Sequence, residues 1–427
     1  MKYPIILRGS FIILLLTALI ACRQETKWEG QAPVKTVPTA TLPIQQQFVG
    51  TFELGDGILA SNDFTGARLN GIVRTDDTLI TALITPENTP INSSPWYAFK
   101  IWSSTPKNIN LKLTYLDGYF HRYYPKLSTD GKSWKAIDEK NYTEGEKGLG
   151  GDDQTLPKDV TLNLAIGPDT LWVAAQELIT SAHVNTWVKK LDSLDYISSE
   201  VLGQSREGRP ITAMKIGNAS DHKMIFILSR QHPPEVTGYL AMKSFVETIA
   251  SDLPIAQQFR EVYSTYVVPL ANPDGVDNGH WRHNTGGVDL NRDWGNVNQK
   301  EVQQIQKFME DKVAKDQGKF YFGVDFHSTW EDIFYTMSPE NESNMPGLVQ
   351  EMISAMGTEL GFEPNVNSKL FGEQKRTSSE YFFYTFGAET LTYEIGDNTP
   401  RDLVKKKGEV SALKLMEFML TNNKGSE

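Results

Sequence analysis

The stretch Met224-Ile-Phe-Ile-Leu-Ser-Arg-Gln-His-Pro-Pro-Glu-Val-Thr-Gly-Tyr-Leu-Ala-Met242 changes character twice. It opens on a continuous apolar run, Met224 to Leu228, as a strand buried on both faces requires. It closes on helical apolar spacing, carried through Leu240, Phe245 and Ile249, which predicts a helix over 236–250. The same alternation continues downstream, with a strand over 266–270, a helix over 301–313 and a strand over 319–325. From about Ile197 onward, alternation of this kind predicts an α/β fold on a mostly parallel or mixed sheet. Chemistry in such sheets sits just beyond the carboxyl ends of strands, where His232-Pro-Pro-Glu235 falls.

Upstream the language is different. Short β-branched or alternating runs at 71–73, 78–84, 96–102, 110–115 and 160–165 are separated by turn signals such as Asp117-Gly118 and Asp130-Gly131. They predict an antiparallel β-sandwich over 48–180, with a helical bridge near 181–194 and the α/β domain over 195–424. The chain of 427 residues is 39% hydrophobic with a formal charge of −11, which argues against nucleic acid as a partner. One cysteine excludes a disulfide scaffold and any multi-thiolate metal site. Lys2 and Arg8, the apolar run 11–20 and the small Ala21 describe a signal peptide over 1–21. The ending Leu19-Ile-Ala-Cys22 resembles a bacterial lipobox. That resemblance implies an exported protein anchored to the membrane through lipidated Cys22 in the cell envelope, periplasmic or at the cell surface. A plain signal peptide or an uncleaved anchor is the competing reading. Residues 22–47, polar with three prolines, read as a lipid-anchored tether and not as a packed element.

Three clusters carry chemistry. His232 and Glu235, in a strand-to-helix turn, can reach one cation, and His327 near the end of the 319–325 strand is the candidate third ligand. Two imidazoles and one carboxylate, with a fourth position open, suit a single Zn²⁺. An isolated His-x-x-Glu is also a common helix surface pair. The second cluster runs from Asn272-Pro-Asp-Gly275 through Trp281-Arg282 to Asp289-Leu-Asn-Arg-Asp293. Arg282 and Arg292 in one loop suit a carboxylate or a developing oxyanion, and Asn291 adds a donor. The bland alternative pairs these arginines with Asp277 and Asp289 at the surface. In the third cluster, Thr390-Leu-Thr-Tyr-Glu-Ile-Gly-Asp397, Glu394 stands in an apolar strand. A carboxylate is costly to bury there unless it is paired or functional.

These pieces, with Asp325-Phe-His-Ser328 between the second and third clusters, resemble in their order the zinc carboxypeptidase family. Pro95-Trp-Tyr-Ala-Phe99 and Arg122-Tyr-Tyr-Pro125 resemble the sandwich of its cytosolic-carboxypeptidase-like branch. The resemblance implies an α/β catalytic domain with a mixed central sheet and helices on both faces. It implies a hydrolase that cleaves the C-terminal peptide bond through a zinc-activated water. His232, Glu235 and His327 would be the metal ligands and Glu394 the general base and acid. Arg282 would hold the oxyanion, and Asn291 and Arg292 the terminal carboxylate. Pro234 departs from the digestive members, which carry an additional arginine there, and Tyr381 and Tyr384 are the nearby candidates for a substrate-capping tyrosine.

The same zinc site would serve a peptidoglycan stem-peptide amidase or an acyl-amino-acid deacylase. A catalytically inactive, lipid-anchored binding protein is the alternative from another class. Lys369, Lys375 and Arg376 are candidates for a basic pocket receiving an acidic C-terminal residue.

Overall fold

The computed structural model describes residues 28–31, 37–150, 155–369 and 376–423; the signal-peptide segment, Cys22 and Lys375 lie outside them. The centre of the molecule is an eight-stranded mixed sheet. In spatial order its strands are Ile197–Gln204, Pro210–Ile216, Ser264–Val268, Lys223–Ser229, Lys319–Thr329, Glu389–Gly396, Ile333–Thr336 and Val366–Asn367. The middle strands run parallel from Ser264–Val268 through Glu389–Gly396, and antiparallel pairs flank them.

The apolar run at 224–228 explains why both faces are covered. Side chains alternate across a strand. Ile225 and Ile227 therefore join one core, with Phe245, Phe259, Met352 and Leu415 from helices on that side. Met224, Phe226 and Leu228 join the other, with Ile305, Met309 and Phe382 from the helices Lys300–Asp316 and Ser378–Phe386.

The N-terminal region forms a six-stranded and a five-stranded sheet around one apolar cluster that includes Ile58, Ile80, Phe99, Leu111 and Leu162. One pairing departs from the antiparallel expectation: Leu79–Ile84 runs parallel to Lys107–Tyr115. Between them the chain crosses to the other sheet as Ala98–Ser103 and returns, so the second strand re-enters in the direction of the first. Trp281 and Val236 of the α/β region enter this same cluster, and Ile179 and Leu240 pack against both it and the core of the central sheet.

The segment expected to be an unpacked tether is docked in its described parts. Thr39 is buried, its carbonyl accepting from Gln299 Nε2 at 2.8 Å, and Leu42 N–H donates to Gly286 O. Trp28 packs on Ile333 and Tyr335. Several backbone groups of the segment thus find partners on the protein, a tertiary outcome that composition does not report. Among the described residues no helix is long and apolar enough to cross a membrane.

Candidate metal centre and its surroundings

Three parallel strand ends build the site. His327 and Glu394 are register partners on adjacent strands, so their side chains leave the sheet next to each other. His327 lies inside its strand, which extends to Thr329, further than the apolar pattern predicts. The turn after Ser229 supplies His232, and Glu235 immediately precedes helix Val236–Ile249. That helix can lie close because residue 238 is glycine: a Cβ there would meet His327 O at 2.3 Å.

The two imidazoles converge on one carboxylate. His232 Nδ1 is 2.8 Å from Glu235 Oε1 and His327 Nδ1 is 2.7 Å from Glu235 Oε2. Both rings present Nδ1 inward because Nε2 is held from behind, by Asp289 Oδ1 at 2.8 Å and by Asp325 Oδ2 at 2.8 Å. A carboxylate behind an imidazole accepts a hydrogen bond from Nε2–H, which fixes that tautomer and leaves the Nδ1 lone pair for a cation. Asp325 is itself fixed by Gln231 and Ser378. One donor atom from each of His232, Glu235 and His327 lies within 4.8 Å of the others, and all three residues are buried.

Burial works against ionising Glu235, yet the two imidazoles outweigh it and hold the carboxyl well below the usual range. Burial likewise opposes charge on His327, while Asp325 and Glu235 raise it well above an ordinary histidine. The cluster thus calls for positive charge at its centre. A dication supplies that charge with both rings neutral, and the N,N,O donor set fits zinc.

Glu394, Arg282, Asn291 and Arg292 line the same cavity as the three candidate ligands, so the structure brings together all seven residues nominated from sequence. Glu394 is 6% exposed, and its Oε2 has no hydrogen-bond partner. Burial pushes its pKa up to about 7, with His327 opposing and Glu235 reinforcing. Arg282 is buried, its Nε donating to Asp289 Oδ2 at 2.7 Å. The surface pairing considered as an alternative is therefore half right: Asp289 is the partner, but in the interior, while Asp277 binds Arg209. Asn291 Oδ1 accepts from Ser378 N–H at 3.0 Å, and Arg292 Nη1 donates to Asn291 O.

Other residues at the site were not singled out from sequence. Tyr335, Thr377 and Thr392 line it, and so does Gln31, whose N–H donates to Tyr335 Oη at 2.9 Å. With Gln31 there the cavity keeps about 20 Å³, room for about one water. Asp289 and Asp325 hold the rings of His232 and His327, but a lone aspartate carries no signal of that role. Tyr381 lies elsewhere, packed at a tilt against Trp294 and bonded to Glu310, and Lys369 is exposed and does not line the cavity.

The family model described as zinc carboxypeptidase (Peptidase_M14) matches residues 184–400. Mouse cytosolic carboxypeptidase 1 is 33% identical over 155 residues, which is 32% of this chain and 13% of that protein. Cytosolic carboxypeptidase 6 of Caenorhabditis elegans is 32% identical over 134 residues, 30% of this chain and 29% of that one. The matched stretch thus spans less than a third of either relative.

Among solved structures, a metallo-carboxypeptidase from Burkholderia cenocepacia superposes with a TM-score of 0.70 at 18% identity, covering 85% of this chain and 99% of that one. One from Pseudomonas aeruginosa, in complex with (2-guanidinoethylmercapto)succinic acid, gives 0.66 at 18% identity, covering 84% and 98%. At such identities these two establish a shared fold. The family match, which takes in the turn at 232–235, the loop at 282–292 and the strands bearing His327 and Glu394, establishes descent: the chain belongs to the zinc carboxypeptidase family.

Proposed function

We propose that this protein is a zinc metallocarboxypeptidase that hydrolyses the C-terminal bond of peptide substrates. The observation that carries the reading is the convergence of His232 Nδ1, His327 Nδ1 and the Glu235 carboxylate beside a buried Glu394 that keeps one oxygen unpartnered. Zinc held by these three residues supplies a Lewis acid that polarises a carbonyl and acidifies water.

The protein's own groups do the rest. Glu394, desolvated and therefore basic for a carboxylate, takes a proton from the attacking water and returns it to the leaving amine. Arg282, braced through Nε by Asp289, meets the oxyanion as it develops. Asn291 and Arg292 receive the terminal carboxylate, for which a guanidinium fork is the matching shape.

In the same reading the two N-terminal sheets are a β-sandwich domain, and Cys22 is the lipidated residue that keeps the protein at the cell envelope. Membrane fractionation of Cys22→Ser against the unaltered chain tests the anchor. The activity is tested with a library of peptides varied at the C-terminus, incubated with zinc-loaded protein and with Glu394→Gln as control. Stepwise loss of C-terminal residues that the control does not show is the expected result. No cleavage of any member by the zinc-loaded protein rejects the reading.

A further inference from the structure

The loop that delivers Arg282 to the site is gripped from the other half of the molecule. Glu87 follows strand Leu79–Ile84 of the N-terminal sheets and is completely buried. Its Oε2 accepts from Trp281 N–H at 2.8 Å, and its Oε1 accepts from Arg282 N–H at 3.1 Å and His283 N–H at 2.6 Å. Three successive backbone donors on one carboxylate make an anion-binding concavity, and charge-assisted bonds of this type are stronger than neutral ones.

The neighbouring contacts repeat the pattern. Asn88 Oδ1 is 2.7 Å from His283 Nδ1, and Asn88 Nδ2 donates to Gly287 O at 3.0 Å. Arg68 lies 3.6 Å from Glu87 and donates to Gly279 O, while Trp281 Nε1 donates to Trp96 O. Between helix Pro273–Asp277 and the short turn Leu290–Arg292 the loop has no regular ladder to hold it. Around Trp281–His283 its backbone is held by partners from the N-terminal sheets, while Asn284 beyond is held by Gln299 and Glu301.

We infer that Glu87 is a positioning residue for Arg282. It fixes the backbone from which that side chain enters the cavity, while Asp289 fixes the guanidinium, so the N-terminal sheets form part of the hydrolytic apparatus. This rests on the peptidase reading for its kinetic consequence but not for its geometric one. Glutamine at position 87 turns an amide N–H₂ toward backbone N–H donors, and aspartate keeps the charge but falls one methylene short.

The test compares Glu87→Gln, Glu87→Asp and Arg282→Ala, with Glu87→Gln and Glu87→Asp also combined with Arg282→Ala, in the full zinc-loaded chain. A displacement on the ångström scale costs on the order of 10²-fold in rate, so Glu87→Gln is expected to lower kcat by about that factor, with KM nearly constant. Glu87→Asp falls between it and the wild type. In the Arg282→Ala background either change at 87 is expected to cost less than about twofold, because residues acting through one another are not additive. A full, multiplicative loss in that background, or a wild-type rate in Glu87→Gln, overturns the inference. Should Glu87→Gln not fold, Glu87→Asp carries the same comparison.

Crystal structures of the position-87 variants decide the matter without turnover. Arg282 displaced from Asp289 supports the inference, and an unmoved loop overturns it. A wild-type chain that cleaves no peptide sinks the peptidase reading and leaves this structural result standing.

Discussion

Arg122, from the N-terminal sheets, donates Nε–H to Asp397 Oδ2 at 2.7 Å, three residues beyond Glu394, and both side chains are largely withdrawn from solvent. The same guanidinium donates to Ser328 O at 3.1 Å, one residue from His327, and lies over the Trp330 ring. Breaking a buried pair by removing one partner costs about 3–5 kcal/mol, because the other charge stays buried alone. Arg122→Ala is therefore expected to lose that much in urea unfolding. Arg122→Leu combined with Asp397→Asn is expected to recover most of it.

The carboxylates behind the imidazoles set which nitrogen faces the centre. Asp325→Asn and Asp289→Asn are each expected to weaken zinc binding about 10–100-fold, read by competition with a chelator. Chelator-stripped wild type is expected to regain activity on adding zinc. Wild-type affinity in both variants would refute the assigned roles.

Glu394→Gln is expected to keep stoichiometric zinc and lose about 10²–10⁴-fold in kcat. Glu394 must be ionised to act as a base, so activity falls as pH drops through its pKa. Burial places that value at about 7 in the metal-free protein, and a dication beside it favours the carboxylate and moves it down. The acid limb of kcat/KM is expected below pH 7, and it should be missing from any residual activity of Glu394→Gln.

Glu301 is fully buried, with Oε2 accepting from Asn284 Nδ2 and Oε1 unpartnered. Burial pushes its pKa up to about 7 from an ordinary 4.5. The folded state therefore binds this proton more tightly than the unfolded chain, and its stabilisation fades as pH rises from 4.5 through 7. Glu301→Gln is expected to be more stable than wild type at pH 8, by up to about 3 kcal/mol at 1.36 kcal/mol per pKa unit. The difference should close toward pH 5 in denaturant titrations.

Gly238→Ala reverses a familiar sign. Alanine ordinarily stabilises a helix by about 1 kcal/mol over glycine. Here its Cβ would lie 2.3 Å from the carbonyl oxygen of His327, which is backbone and cannot swing aside. A loss of about 1–3 kcal/mol is expected, together with weaker zinc binding because the helix carrying Glu235 is pushed off the strand carrying His327. Calorimetric unfolding and zinc titration of the variant check both.

Much of this protein is legible in its sequence. The apolar run at 224–228 announces a strand covered on both sides, and helical spacing after 236 announces what covers one of them. His232, Glu235, His327 and Glu394 stand out because imidazoles and carboxylates are costly in apolar strands and turns. These are local signals, carried by periodicity and by residue chemistry at short range.

The tertiary structure decided what depends on register and long-range approach. Pairing of the strands at 327 and 394 sets Glu394 beside His327, and the glycine at 238 lets the helix close on the strand bearing His327. Glu87, Asp289, Asp325 and Arg122 read as ordinary charged residues along the chain. Each acquires a role only through a partner on another element, because a hydrogen bond specifies its geometry in space and leaves no period in the sequence. The docked course of residues 37–47 belongs here too, since a polar, proline-containing stretch has the same composition whether water or the protein satisfies its backbone.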